Sequence, residues 1–177
     1  MPKKKPHILV SNDDGFFSKG IQALARVAAE FGRVVVVAPD REQSAVGHAV
    51  TIHDPLRANH INVVDDIGGF SVTGTPADCV KLAHDQLLDE KPDLVLSGIN
   101  HGSNAGINLL YSGTVSAAME GTVLGYPSIA VSCTDYDNDA DLSGCMTAAR
   151  LMINQVLKKG LPKGVTLNTV SYTHLTL

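Results

Sequence analysis

His7-Ile-Leu-Val-Ser-Asn-Asp-Asp-Gly15 changes character within two positions: an apolar run ends, and Asn12, Asp13, Asp14 and Gly15 follow at once. A short run without polar alternation is how a strand buried on both faces of a parallel sheet reads in sequence. Gly15 marks a tight turn. Two adjacent carboxylates then stand at the C-terminal end of that strand, the end at which open α/β sheets bind their ligands.

Outward from this stretch the pattern repeats. Ser18 is a suitable helix N-cap, and Ile21, Leu24, Ala25, Ala28 and Phe31 recur at helical spacing up to Gly32. Arg33-Val-Val-Val-Val-Ala-Pro-Asp40 is a second buried strand. Strand, helix and strand make a βαβ unit, whose crossover is right-handed. The polar run Asp40 to Gly47, with Ser44 in it, therefore leaves the same sheet end as Asp13 and Asp14.

The segment from Ala49 to Val64 differs. Thr51-Ile52-His53, Pro55-Leu56-Arg57 and Ile61-Asn62-Val63 read as short strands of an antiparallel excursion around residues 49–64. Gly68-Gly69 leads into a brief strand, Phe70 to Thr73. Thr75 at N-cap, Pro76 at N1 and Asp78 at N3 open a helix with Cys79, Val80, Ala83 and Leu87 on its buried face. Asp93 to Ile99 is a third core strand and delivers Asn100-His-Gly-Ser-Asn-Ala-Gly106 to the shared sheet end. A small-residue helix follows Tyr111-Ser112-Gly113-Thr114 and closes at Gly125. Ser128 to Ser132 is a fourth core strand, Asp135 to Asp141 an acidic loop, and Leu142 to Lys159 an amphipathic helix. Val165 to Asn168 begins a weaker strand, either a sheet edge or a ragged terminus.

Composition narrows the function classes. A chain of 177 residues, 44% of them hydrophobic, holds one domain with a sizeable core. A formal net charge of -4 argues against binding a nucleic-acid backbone, and no apolar run reaches membrane-span length. Ile8 to Val10 is too short for a signal-peptide core, so a cytoplasmic location is expected. Cys79, Cys133 and Cys145 are widely spaced and read as buried free thiols.

Because parallel strands end on one side, Asp13, Asp14, Ser44, Asn100 to Asn104 and Ser112 to Thr114 can converge despite their separation in sequence. Asp13 and Asp14, with the Asn100 carbonyl and the Ser44 hydroxyl, make an all-oxygen set suited to Mg²⁺ or Mn²⁺ rather than zinc or copper. A divalent cation also relieves the repulsion of adjacent carboxylates. The plain alternative is two solvated aspartates in a turn. His101 is a candidate acid or base near neutral pH, with a surface loop histidine as its alternative. Asn104, Ser112, Gly113 and Thr114 are candidates to bind phosphate at a helix start, and Thr75 is a weaker one; ordinary capping competes in each case.

Several familiar patterns are missing. The chain has no GxxxxGK, no GxGxxG after its first strand, no GxSxG and no HExxH, which weighs against P-loop, dinucleotide-binding, α/β-hydrolase and zincin chemistry.

Five segments together resemble the SurE family, the stationary-phase survival proteins that act as metal-dependent nucleotidases. They are Ser11-Asn-Asp-Asp-Gly15, Ala38-Pro-Asp-Arg-Glu-Gln-Ser44, Gly74-Thr-Pro-Ala-Asp-Cys79, Ser97-Gly-Ile-Asn-His-Gly-Ser-Asn104 and Tyr111-Ser-Gly-Thr-Val115. They come in family order, which makes the set far more specific than any one member. The resemblance implies an α/β fold, a Rossmann-like three-layer αβα arrangement with a mostly parallel sheet, and a homodimer or homotetramer. It implies release of phosphate from nucleoside 5'- or 3'-monophosphates, and in some members from short polyphosphate. It also implies a divalent metal at Asp13, Asp14, Ser44 and Asn100, with Asn104 and the Ser112–Thr114 turn near the phosphate. On this reading residues 1–169 form the family-like domain, incomplete at its C-terminus, and residues 170–177 depart from the family pattern.

The expected function is thus nucleotide hydrolysis in which Asp14 and His101 carry the chemistry. Two other readings stay open: a nucleotide-binding or assembly module without turnover, and a broad phosphatase or exopolyphosphatase.

Overall fold

The computed structural model describes residues 4–171, in which a seven-stranded sheet lies between two helical layers. In chain order these are β1 (His7–Ser11), α1 (Lys19–Ala29), β2 (Arg33–Pro39), β3 (Ala58–Val64), β4 (Ile67–Val72) and α2 (Pro76–Leu82). There follow β5 (Leu94–His101), α3 (Gly113–Val123), β6 (Ser128–Cys133), α4 (Ser143–Lys159) and β7 (Thr166–Ser171). The sheet order is β3-β4-β2-β1-β5-β6-β7, and every neighbouring pair is parallel except β3 and β4. The mostly parallel αβα architecture expected from the sequence is the one observed.

The central strands are uniformly apolar because both their faces are covered. Ile8 and Val10 pack with α1 and α4, while Leu9 packs on the opposite side with Cys79 and Val80 of α2. Val36 and Val37 of β2, and Leu94 and Val95 of β5, divide in the same way. Each such side chain, fully buried, contributes about 1.5–3 kcal/mol relative to exposure. All three cysteines are buried.

From β1 the chain lays β2 and β4 on one side, then returns to place β5, β6 and β7 on the other. The order therefore reverses between β1 and β5. The crevice outside the C-terminal ends of two such strands is where open α/β sheets bind ligands.

Helix α1 enters this crevice at close range. A Cβ at Gly20 would lie 2.0 Å from the Ile99 carbonyl oxygen of β5, a backbone atom that has no room to retreat. Gly20→Ala is expected to destabilise the chain by about 2–3 kcal/mol through overpacking. Urea unfolding measures this, and a midpoint equal to that of the wild type would contradict the close approach.

Three expectations about the middle of the chain need correction. Around residues 49–64 only Ala58–Val64 is a strand, and it pairs antiparallel with Ile67–Val72. The segments Thr51–His53 and Pro55–Arg57 are not strands. Here the backbone is held by capping groups instead of a ladder: Thr51 donates its N–H and its hydroxyl to Asp78, and Thr75 donates its hydroxyl to the Ala49 carbonyl. Gly68 and Gly69 lie inside β4, the turn falling at Asp65 with φ 51°. A Cβ at Gly69 would stand 1.8 Å from the Val36 carbonyl oxygen, so glycine there serves strand contact.

At the far end, the weak strand is real. β7 forms the sheet edge parallel to β6 and runs past residue 169 to Ser171. The expectation for residues 172–177 lies outside the described residues. Among the described residues no helix is long and apolar enough to cross a membrane.

Candidate active site

β1 carries Asp13 and Asp14 into the crevice, and Asn12 fixes the turn that follows. The Asn12 side-chain amide donates to the Gly15 carbonyl at 2.9 Å and to Ser18 Oγ at 2.9 Å. Ser18 Oγ also accepts from the Ile21 N–H, so one hydroxyl ties the turn to the N-terminus of α1. From β2, the Gln43 N–H donates to the Asp13 carbonyl at 2.8 Å, which docks the loop bearing Ser44 beside the carboxylates.

The Asp13 side chain is buried and held by α3. The Thr114 hydroxyl donates to its Oδ1. Gly113 leaves room for this approach, since a Cβ there would lie 2.6 Å from Asp13 Cβ and 2.9 Å from its Oδ2. Burial raises the Asp13 carboxyl above its usual range, opposed by hydrogen bonds from Thr114 and from main-chain N–H groups at the start of α3. Asp14 has no such support. Its Oδ2 is buried without a hydrogen-bond partner. Burial, followed by the charges of Asp13 and Glu42, pushes its carboxyl up to about 7.

β5 supplies the opposite wall. The Asn100 side-chain amide donates to the His101 and Gly102 carbonyls at 3.0 and 2.8 Å, which leaves its oxygen as the remaining polar atom. His101 Nδ1 is buried without a partner. Asn104 is anchored twice: its side-chain amide donates to Ser132 Oγ at 2.9 Å, and its carbonyl accepts from Asn168 at 2.9 Å.

Two adjoining cavities result. One of ≈ 220 Å³ is lined by Asp13, Ser44, Asn100, Asn104 and Ser112. The other, of ≈ 670 Å³, has Asp14 and Glu42 in its walls. Ser44, Asn100, His101 and Tyr136 border both. The structure thus gathers Asp13, Asp14, Ser44, Asn100, His101, Asn104 and Ser112 in one crevice.

It does not gather the rest. Thr75 lines neither cavity; its hydroxyl accepts from the Asp78 N–H in a capping box on α2. Thr114 is 0% exposed and spends its hydroxyl on Asp13, so it stands behind the carboxylate instead of facing a ligand. Gly113 likewise lies against Asp13. Ser112 Oγ accepts from the Val115 N–H as the α3 cap while its residue borders the smaller cavity.

The donor set suits a hard divalent cation. Among the described residues no group of three or more His, Cys, Asp or Glu side chains is placed to hold a metal. The oxygens present are of another kind: two adjacent carboxylates, one with an orphaned buried oxygen, an amide oxygen, and the Ser44 hydroxyl, whose proton goes to Glu42 at 2.5 Å. A buried carboxylate oxygen without a donor is costly, and a cation relieves that cost.

A stability effect follows from the sign of the Asp14 shift. A carboxyl whose folded value, about 7, exceeds the unfolded value of about 3.9 binds its proton more tightly when folded. Without metal, this group's contribution is lost as pH rises from about 4 to about 7. Asp14→Asn is expected to raise the melting temperature of the metal-free chain at pH 8 more than at pH 5. An equal change at both pH values would contradict the burial of that charge.

Three contributors escaped the sequence reading. Asn12 reads as part of a turn, and only its Ser18 contact reveals a brace. Glu42 sits in a solvated run with nothing to mark its proximity to Asp14. Tyr136 follows β6 at the shared sheet end, so topology alone could have placed it.

With this geometry in hand, comparison with known proteins is specific. The family model described as Survival protein SurE matches residues 8–172. A protein of Cytophaga hutchinsonii named 5'-nucleotidase SurE is 52% identical over 165 residues, covering 93% of this chain and 64% of the relative. One of the same name from Moorella thermoacetica is 51% identical over 162 residues, covering 91% of this chain and 62% of the relative. The crystal structure of the SurE protein from Aquifex aeolicus superposes with a TM-score of 0.87 at 45% identity, covering 96% of this chain and 67% of that one. The chain therefore spans less than two thirds of the length of the curated relatives it matches.

Proposed function

The chain belongs to the SurE family, and from that premise we propose that it hydrolyses nucleoside monophosphates to nucleoside and phosphate with the aid of a divalent cation. The observation that carries this reading is the pair Asp13 and Asp14 at the β1–β5 switch point, one of them with an orphaned buried oxygen. The relatives from Cytophaga hutchinsonii and Moorella thermoacetica, both named 5'-nucleotidase, support the substrate class.

Asp13, Asp14, Ser44 and Asn100 would hold Mg²⁺ or Mn²⁺. When bound, the cation supplies charge for phosphoryl oxygens and lowers the pKa of water. The side chains provide the rest. Thr114 holds Asp13 in one orientation, so the carboxylate is placed before substrate arrives. Asp14 is the carboxylate suited to orienting a water and taking its proton. Asn104 and Ser112, in the smaller cavity, position the phosphate. His101, which borders both cavities, is the candidate to deliver a proton to the leaving ribose oxygen.

A phosphate-release panel tests the proposal, using AMP, GMP, ribose 5-phosphate and tripolyphosphate with and without Mn²⁺. Metal-dependent release from the nucleotides supports it. Release from every substrate alike would favour a broad phosphatase, and tight AMP binding without release would favour a binding module.

A further inference from the structure

Two aromatic rings stand in water at the cavity that contains Asp14. Phe17 is 76% exposed and Tyr136 is 73% exposed, and both line the same ≈ 670 Å³ space. Large aromatic faces left in solvent forgo substantial burial energy unless something covers them.

Neither ring is loosely held. Phe17 rests on Phe16 with ring centroids 3.8 Å apart, and Phe16 is itself part of the core. Tyr136 lies against Gly102, where a Cβ would come within 2.4 Å of a ring carbon. The Gly102 N–H donates to the Asp135 carbonyl at 2.8 Å and pins the loop beside that ring. The two walls are joined by the ion pair of Lys19 with Asp139. Lys19 also lines the cavity, so its charge is already matched.

Charge sets the orientation of an occupant. Asp135 and Asp137 flank Tyr136 and disfavour an anion at that rim. The polar groups suited to phosphate, Asn104 and Ser112, border the other cavity. A molecule spanning both spaces would place its phosphate among the latter and an uncharged, flat portion between the rings.

We infer that Phe17 and Tyr136 are the specificity-determining residues, stacking the base of a nucleoside monophosphate; this rests on the nucleotide reading above and deepens it. Stacking uses the π-face that every base has. The pair therefore separates nucleotides from other phosphate esters more than one base from another.

Steady-state kinetics and equilibrium binding in Mn²⁺, with AMP and with ribose 5-phosphate, test this on wild type, Phe17→Ala, Tyr136→Ala, Phe17→Tyr and Tyr136→Phe. Ribose 5-phosphate keeps the sugar and phosphate and lacks the base. The AMP to ribose 5-phosphate ratio of kcat/KM should fall about tenfold in each alanine variant, mainly through the KM for AMP. The aromatic exchanges should restore it. If neither ligand turns over but AMP binds, the same ratio is read from dissociation constants. An unchanged ratio in the alanine variants, or a wild-type ratio near one, overturns the inference while leaving a phosphatase reading intact. If the wild type neither binds nor hydrolyses AMP, the nucleotide reading itself has failed.

Discussion

Asp13→Asn is expected to reduce metal-stimulated release of phosphate from AMP by about 10³-fold while the chain stays folded. The fold should survive because the Asn amide oxygen can still accept from Thr114, the partner that now holds Asp13 Oδ1. Removing the charge also removes a desolvation cost, since burial raises this carboxyl above its normal range. Activity has no such compensation: a neutral amide oxygen is a weaker ligand than a carboxylate and leaves the cation short of one negative charge. Phosphate release with and without Mn²⁺, alongside a melting curve, measures both halves. Undiminished metal-dependent turnover would remove Asp13 from the machinery.

Gly113→Ala is expected to produce the second-largest loss, although Gly113 itself lines neither cavity. Its methyl would stand 2.6 Å from Asp13 Cβ and 2.9 Å from Asp13 Oδ2, so either the carboxylate turns away or α3 shifts from the sheet. A displacement of about 1 Å at a reacting group can cost about 10²-fold in rate, and that is the expected fall in kcat/KM. Affinity for Mn²⁺ should weaken in parallel, because the same carboxylate is moved. Wild-type turnover in this variant would mean that the contact between α3 and Asp13 does not set the geometry of the site.

How far the sequence disclosed this arrangement depends on where each hydrogen bond goes. β1, β2, β5 and β6 are legible because strands covered on both faces lose their polar alternation, as Ile8 to Val10 illustrate. Their shared direction then predicts the convergence of Asp13, Asn100 and Ser112, and all three line the smaller cavity. Residues 49–57 are illegible for the opposite reason. Their backbone is satisfied by Asp78 and Thr75, which are distant in sequence, so no local pattern records it. Thr114 shows the same limit within the site. A hydroxyl at a helix start looks like an anion ligand, and only the approach of Asp13, from far along the chain, commits it to a carboxylate. Gly69 could not be told from a turn glycine until β2 was seen to pass within contact of it.

On the proposed reading, Asp13 and Asp14 together create a site for one hard divalent cation at the β1–β5 switch point. Calorimetric titration of Mn²⁺ into the wild-type chain and into the Asp13→Asn, Asp14→Asn double variant tests it most directly. One ion bound per wild-type chain and no saturable binding in the double variant are expected, both proteins having the same circular dichroism. Equal stoichiometry and affinity in the two proteins would contradict it.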